Sequence, residues 1–201
     1  MSDLTDIHYA LQIEPHLEQF TFDGKLRLTM TPTVPLAVLH LNAVELEIKR
    51  CTAMQGDARV QTEFTLDPQK EALEVRLASP VSGPFSLEFD FHGLINDRMA
   101  GFYRSGYRWN DQEHFMAVTQ FQESDARRAF PCFDHPRHKA TFDIELTVDA
   151  DLTAISNGAV REEVSLEGNK KRVRFERTPR MSTYDAKALG IEPREPATLQ
   201  E

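Results

Sequence analysis

Three side chains able to ligate a metal lie close together in the sequence. Cys132, His135 and His138 follow the spacing Cys-x2-His-x2-His, and thiolate and imidazole are both good zinc ligands. A closed structural site takes four ligands, and His114 is the one further candidate nearby in sequence. Cys132 also sits in the apolar run Ala129-Phe130-Pro131-Cys132-Phe133, where a free cysteine usually behaves as a small core residue. That reading is the stronger of the two. Zinc-assisted peptide hydrolysis uses His-Glu-x-x-His, two imidazoles one helical turn apart with a carboxylate base between them, and this motif occurs nowhere in the chain. A Gly-x-Ser-x-Gly elbow and a Gly-x-x-x-x-Gly-Lys phosphate loop are also missing from the sequence, which sets aside serine-hydrolase and nucleotide-binding chemistry. The basic run Lys170, Lys171, Arg172, Arg174, Arg177 and Arg180 is a candidate anion patch. In a strand only alternate members share a face, and a charged, solvated strand edge accounts for the run better.

The elements that must carry these residues have a period of two. Tyr9, Leu11 and Ile13 alternate with polar or small neighbours, as do Phe85, Leu87, Phe89 and Phe91, and later Phe142, Ile144, Leu146 and Val148. Such alternation marks half-buried strands. Phe20 and Phe22 followed by Leu26, Leu28 and Met30 read as a hairpin turning at Asp23-Gly24. Glu167-Gly168-Asn169-Lys170 reads as a second turn, and Asp67-Pro68 and Gln55-Gly56-Asp57 as others. Strands joined by short turns imply antiparallel pairing. The predicted class is all-β, a large twisted antiparallel sheet or β-sandwich. At most one short helical turn is expected, near residues 124–129, with Ser124 as its cap. Residues 1–184 are expected to form the domain. From Asp185 onward the apolar positions thin out and Pro193 and Pro196 interrupt, so 185–201 are expected to be a loosely ordered tail.

Composition sets further bounds. The chain has 201 residues, 40% hydrophobic and 27% charged, enough apolar material for one real core. Its formal charge is -9 and neither half is basic, so nucleic acid is not an expected partner. No apolar run approaches the ~20 residues of a membrane helix, and Met1-Ser2-Asp3-Leu4-Thr5-Asp6 lacks the start of a secretory signal. A cytoplasmic protein with reduced Cys51 and Cys132 is the expectation.

The most informative stretch begins at Gly101-Phe102-Tyr103-Arg104-Ser105. It continues with Thr119-Gln120-Phe121-Gln122, then Asp125-Ala126-Arg127-Arg128-Ala129-Phe130-Pro131-Cys132-Phe133-Asp134-His135-Pro136, and then Lys139-Ala140-Thr141-Phe142 and Thr178-Pro179-Arg180-Met181-Ser182-Thr183-Tyr184. In this order and content the sequence resembles the N-terminal domain of the M1 family of zinc aminopeptidases, over roughly residues 5–184. The resemblance implies a saddle-like β domain that forms one wall of the cleft of a separate thermolysin-like catalytic domain. It also implies that Gln122 helps to hold the free amino group of a peptide substrate, with Gln120 as its neighbour. The family pattern usually has Glu at the position of Gln122, and a neutral amide lacks the Coulomb attraction of a carboxylate. The pattern also has Glu where this chain has His135. Zinc belongs to the full-length relatives; no cofactor is expected in these residues.

Two functional readings follow. In the first, the chain is the scaffold and substrate-cleft domain of an M1-type aminopeptidase and is not catalytic alone, because a Lewis acid and a positioned base have no recognisable site here. In the second, it is an interaction module that docks a separate catalytic polypeptide or another partner through an exposed face, for which Phe121, Phe130 and Phe133 are the candidates. Asp125, Arg127 and Arg128 read as structural ion-pairing residues.

Overall fold

The computed structural model describes residues 4–109, 111–186 and 190–193, the side chains of Trp109 and of 190–193 excepted. The chain is all-β. Its first half contributes β1 (Leu4–His16), β2 (Thr21–Pro32), β3 (Leu36–Asn42), β4 (Leu46–Gln55), β5 (Ala58–Val60), β6 (Thr62–Asp67), β7 (Ala72–Val81) and β8 (Phe85–Leu94). The second half contributes β9 (Gly101–Trp109), β10 (Gln112–Gln120), β11 (Thr141–Asp149), β12 (Leu152–Ile155), β13 (Val160–Leu166), β14 (Lys170–Phe175) and β15 (Gly190–Pro193). They form three sheets: an eight-stranded one in the order β13-β14-β11-β1-β2-β8-β4-β5, a four-stranded one, β12-β15-β10-β9, and a three-stranded one, β3-β7-β6.

The period-two pattern builds the core directly. The inward positions of the large sheet carry Tyr9, Leu11, Phe22, Leu26, Leu28, Leu87, Phe89, Phe91, Phe142 and Ile144, all buried. Rings pack face to face and edge to face, with Tyr9 stacked on Phe142 at 4.9 Å and Phe130 set at 66° against Tyr9, as the ring quadrupoles favour. The outward positions form a ladder of opposite charges. In register across the sheet stand Glu162, Arg174, Glu145, Gln12, Lys25, Asp90 and Arg50. Arg174 bonds Glu145 at 2.6 Å and Glu162 at 2.8 Å, and Arg50 bonds Asp90 at 2.8 Å. Such cross-strand pairs keep a wide sheet soluble on one side and fix its register.

Several expectations are corrected. Asp23-Gly24 is no turn: β2 runs straight through it, and the chain reverses earlier, at residues 17–20. Gly24 is there because the ring of Phe91 lies where a Cβ would be, 2.2 Å from its position, and Gly93 is filled in the same way by Phe22 at 2.3 Å. These are reciprocal cross-strand pairs, Gly24 with Phe91 and Phe22 with Gly93, in which an aromatic ring covers a glycine. The large sheet is mixed, because β1 and β11 pair in parallel, Leu11 opposite Ile144. The long intervening chain permits what a short turn could not. The helical turn is a 3₁₀ turn over Ala126–Arg128 whose cap position is Asp125, not Ser124, and no side-chain cap bond forms. β14 is an interior strand, so the basic run is not an edge; β13 is the edge strand. Within 185–201, Asp185 closes a second 3₁₀ turn, Thr183–Asp185, and Ala186 is buried. Gly190–Pro193 forms a strand between β10 and β12, where neighbouring backbones supply the hydrogen bonds that a weak apolar pattern does not foretell. The remainder of 185–201 lies outside the described residues.

Candidate functional site

β10 pairs with β9 over its whole length, Val118 opposite Tyr103, His114 opposite Tyr107 and Gln120 opposite Gly101. Alternation then sorts the side chains. Phe102, Ala117 and Thr119 are buried on the core side. Tyr103, Tyr107, His114, Met116, Val118 and Gln120 share the other side and are half-buried, with the Tyr107 and His114 rings stacked at 5.4 Å. Gln122 lies just beyond the end of β10, exposed, and its side chain turns to the same side. Gln120 Nε2 donates to Gln122 Oε1 at 3.4 Å. Gln120 and Gln122 thus lie side by side. The next peptide bond, Gln122–Glu123, is cis.

A network of ion pairs seats the segment that follows. Asp125 N–H donates to Phe121 O at 3.2 Å, and the 3₁₀ turn then presents Arg127 and Arg128 in opposite directions. Arg128 bonds Asp125 at 2.9 Å and Glu45 at 2.8 Å, and Glu45 also holds Arg98. Burial works against ionised Glu45, but hydrogen bonding to Arg98 and the charges of Arg128 and Arg98 keep its carboxyl below the ordinary range. Arg127 reaches Asp134 Oδ2 at 3.0 Å and Glu71 at 2.8 Å. Asp134 accepts a further bond from the Thr183 hydroxyl at 2.9 Å, and its side chain is 1% exposed. Burial alone would lower Arg127, yet Asp134 and Glu71 hold its guanidinium above its usual value. Two main-chain bonds between Asn42 and Cys132, at 2.7 and 3.1 Å, and one from Val44 N–H to Arg127 O at 3.0 Å pin the same segment to the end of β3 and the loop that follows it. The structural reading of Asp125, Arg127 and Arg128 thus matches their contacts.

Phe121, Phe130 and Phe133 do not form an exposed docking face. Their exposures are 1, 1 and 7%, and Phe121 packs edge-on against Phe130 at 5.9 Å inside the core. An aromatic-rich run marks a buried corner as readily as a sticky surface. The more open candidate is the half-buried β9–β10 side with Tyr103, Tyr107, His114 and Met116, which the unbroken apolar run Phe115-Met116-Ala117-Val118 does not single out in the sequence.

The Cys132, His135 and His138 triplet is not brought together as a ligand set. Cys132 is fully buried, and burial pushes its thiol well above the usual range. His135 is exposed, while His138 packs against Phe133 and receives a bond from Arg137 Nε at 3.3 Å. No group of three or more His, Cys, Asp or Glu suited to a metal exists among the described residues. The residues therefore do not fit a zinc ion. Recesses of about 530 and 340 Å³ lie on the outer face of the large sheet, along Ala10, Gln12, Asp143 and Glu145 and beside Asp23 and Lys25; Gln120 and Gln122 line neither.

The sequence that builds this fold is similar to known proteins. The sequence model of the peptidase M1 N-terminal domain matches residues 5–184. The chain belongs to the M1 peptidase N-terminal domain family. Similar relatives include aminopeptidase 2 of Candida albicans, 37% identical over 185 residues, and the puromycin-sensitive aminopeptidase of Caenorhabditis elegans, 40% identical over 182. Aminopeptidase M1-C of Oryza sativa subsp. japonica is 38% identical over 177 residues. These matches take in 91, 88 and 88% of this chain but only 20, 19 and 20% of the relatives. The M1 N-terminal domain thus spans about a fifth of the proteins it matches. Among the described residues no helix is long and apolar enough to cross a membrane.

Proposed function

We propose that this M1 N-terminal domain is the substrate-end scaffold of a zinc metalloaminopeptidase, one that removes N-terminal amino acids from peptides. The hydrolytic chemistry would belong to a catalytic portion carrying the zinc motif, and these 201 residues would not be catalytic alone. The observation that carries the reading is the pair Gln120 and Gln122, half-buried and exposed in turn, in contact at the end of β10 above a base of ion pairs that includes the buried Asp134. Two amide oxygens there can accept from a peptide ammonium, and because they are neutral the attraction is directional rather than Coulombic.

The half-buried β9–β10 side adjoining Gln120 supports a second reading, in which the domain docks a separate catalytic polypeptide. Rings and a thioether left partly open beside a polar anchor suit a protein surface rather than water. One experiment addresses both. The chain is assayed for hydrolysis of amino-acid anilides with zinc, alone and after mixing with the catalytic portion of a relative. The expected outcome is no chelator-sensitive turnover by the chain alone, turnover on mixing, and a KM about tenfold lower for Gln122→Glu, since a carboxylate adds roughly 1.4 kcal/mol of attraction. Chelator-sensitive turnover by the chain alone, abolished by mutation of this chain, would overturn the first reading. No complex on mixing would overturn the second.

A further inference from the structure

Several arginines of the large sheet hold carboxylates, as Arg27 holds Glu88 at 2.7 Å and Arg50 holds Asp90 at 2.8 Å. One corner of the domain breaks that habit. The loop between the buried Asp134 and β11 carries His135, Arg137, His138 and Lys139 in five positions. A reciprocal pair of 2.9 Å main-chain bonds between Ala140 and Met181 lays a second segment beside it. Arg180 is thereby adjacent to Lys139 and donates to its carbonyl at 3.3 Å. Among the described residues neither Arg137 nor Arg180 makes an ion pair; Arg137 Nε is spent on the His138 ring. The local acids offer little compensation. Asp134 is turned inward to Arg127 and Thr183, and Asp185 stands 3.9 Å from Lys139. The result is three permanent positive charges and two imidazoles gathered on a chain whose formal charge is -9.

We propose that the His135–Lys139 loop with Arg180 is a docking site for an acidic segment, a short run of Asp or Glu, on a partner polypeptide. Two guanidinium groups without carboxylates offer forked donors matched to carboxylate geometry. The field of the surrounding acidic protein repels a long uniform polyanion, whereas a few carboxylates meet only the local charge. His135 strengthens the site, because Glu at that position would place an acid in its centre. The proposal does not depend on the aminopeptidase reading.

The test uses the intact 201-residue chain, an octaglutamate peptide and amide-resolved NMR. Expected are shifts confined to residues 135–140 and 180–182, and at least a tenfold weaker affinity between about 0.05 and 0.5 M salt. At least a tenfold loss is also expected in R137E/R180E, and a loss of about threefold in His135→Glu. If R137E/R180E loses its fold by circular dichroism, R137Q/R180Q serves in its place with the same expectation. Shifts mapping elsewhere, equal shifts with octalysine, or affinity unchanged in the double variant would overturn the proposal. So would tighter binding of a short DNA duplex, equal saturation by inorganic phosphate, or light scattering showing that the patch pairs two copies of this chain.

Discussion

Arg127 and Asp134 tie together the two ends of the segment that follows Gln120 and Gln122, and their separation is the sharpest perturbation of the site's base. Arg127→Met keeps the apolar stem and removes the 3.0 Å bond to Asp134 and the 2.8 Å bond to Glu71. Asp134, 1% exposed, then keeps only the Thr183 hydroxyl at 2.9 Å and a main-chain N–H at 3.3 Å. Leaving a buried charge uncompensated typically costs 3–5 kcal/mol. Arg127 is itself 15% exposed, so water relieves part of the cost and about 3 kcal/mol is expected. With a urea m-value of roughly 2 kcal/mol/M the midpoint should fall by about 1.5 M. Asp134→Asn should cost about 2 kcal/mol, since the amide still receives Thr183. The double variant R127M/D134N should cost less than the two singles combined, by about 1–3 kcal/mol, because no buried charge remains. Urea unfolding of the four proteins at neutral pH measures each value. A midpoint shift worth less than about 0.5 kcal/mol for Arg127→Met, or strict additivity in the cycle, would refute the assignment of this pair as the support of the site.

Other perturbations test the rest of the structure. Gly24→Ala would gain about 0.4–1 kcal/mol at an open extended position; with the Phe91 ring 2.2 Å from the new Cβ it should instead lose about 2 kcal/mol, read as a lower urea midpoint. Asp23 takes bonds from Lys49 at 3.0 Å and from His16 and His92 at 3.1 Å. Burial opposes its ionisation, but these partners outweigh it and hold the carboxyl well below the ordinary range. A depressed folded-state pKa contributes stability above the unfolded value of roughly 4 that fades as pH falls toward the folded one. The stability gap between wild type and Asp23→Asn, about 1 kcal/mol at pH 7, should therefore narrow progressively as pH falls below about 4. Cys51 is 8% exposed and burial pushes its thiol up to about 12; with Cys132 also buried, both thiols should react with a disulfide reagent roughly a thousandfold more slowly than free cysteine until urea is added.

How much of this was legible in the residues depends on whether the governing force is local. Phe85, Leu87, Phe89 and Phe91 announce β8 because burial on one side imposes a period of two, and all four point inward. The turn at Gly168 and Asn169 was readable for the same local reason, both residues having positive φ, +73° and +58°. Asp23-Gly24 misled because a turn propensity and a glycine required by a distant ring look alike in sequence, and only Phe91 in β8 tells them apart. Parallel pairing of β1 with β11 has no local signature. The aromatic corner Phe121, Phe130 and Phe133 was recognisable as important but not as interior, since hydrophobicity states that a group leaves water and not whether a neighbour or a partner covers it.

The site divides along the same line. Period two places Gln120 and Gln122 on one side, and their 3.4 Å contact agrees; family resemblance alone assigns them a role. Asp125, Arg127 and Arg128 were readable as ion-pairing residues, but not their partners Glu45, Glu71 and Asp134. Arg127 and Arg128 are adjacent in sequence, yet one turns to Asp134 and Glu71 and the other to Asp125 and Glu45. The two branches also reach carboxylates far away in sequence, Glu45 in the connection from β3 to β4 and Glu71 in the turn between β6 and β7. A change at Glu45 or Glu71 therefore reaches the Gln122 segment through a single guanidinium. Because a surface pair contributes only about 0–1 kcal/mol whereas Asp134 is nearly closed to water, the Arg127 branch outweighs the Arg128 branch in holding the anchor in place.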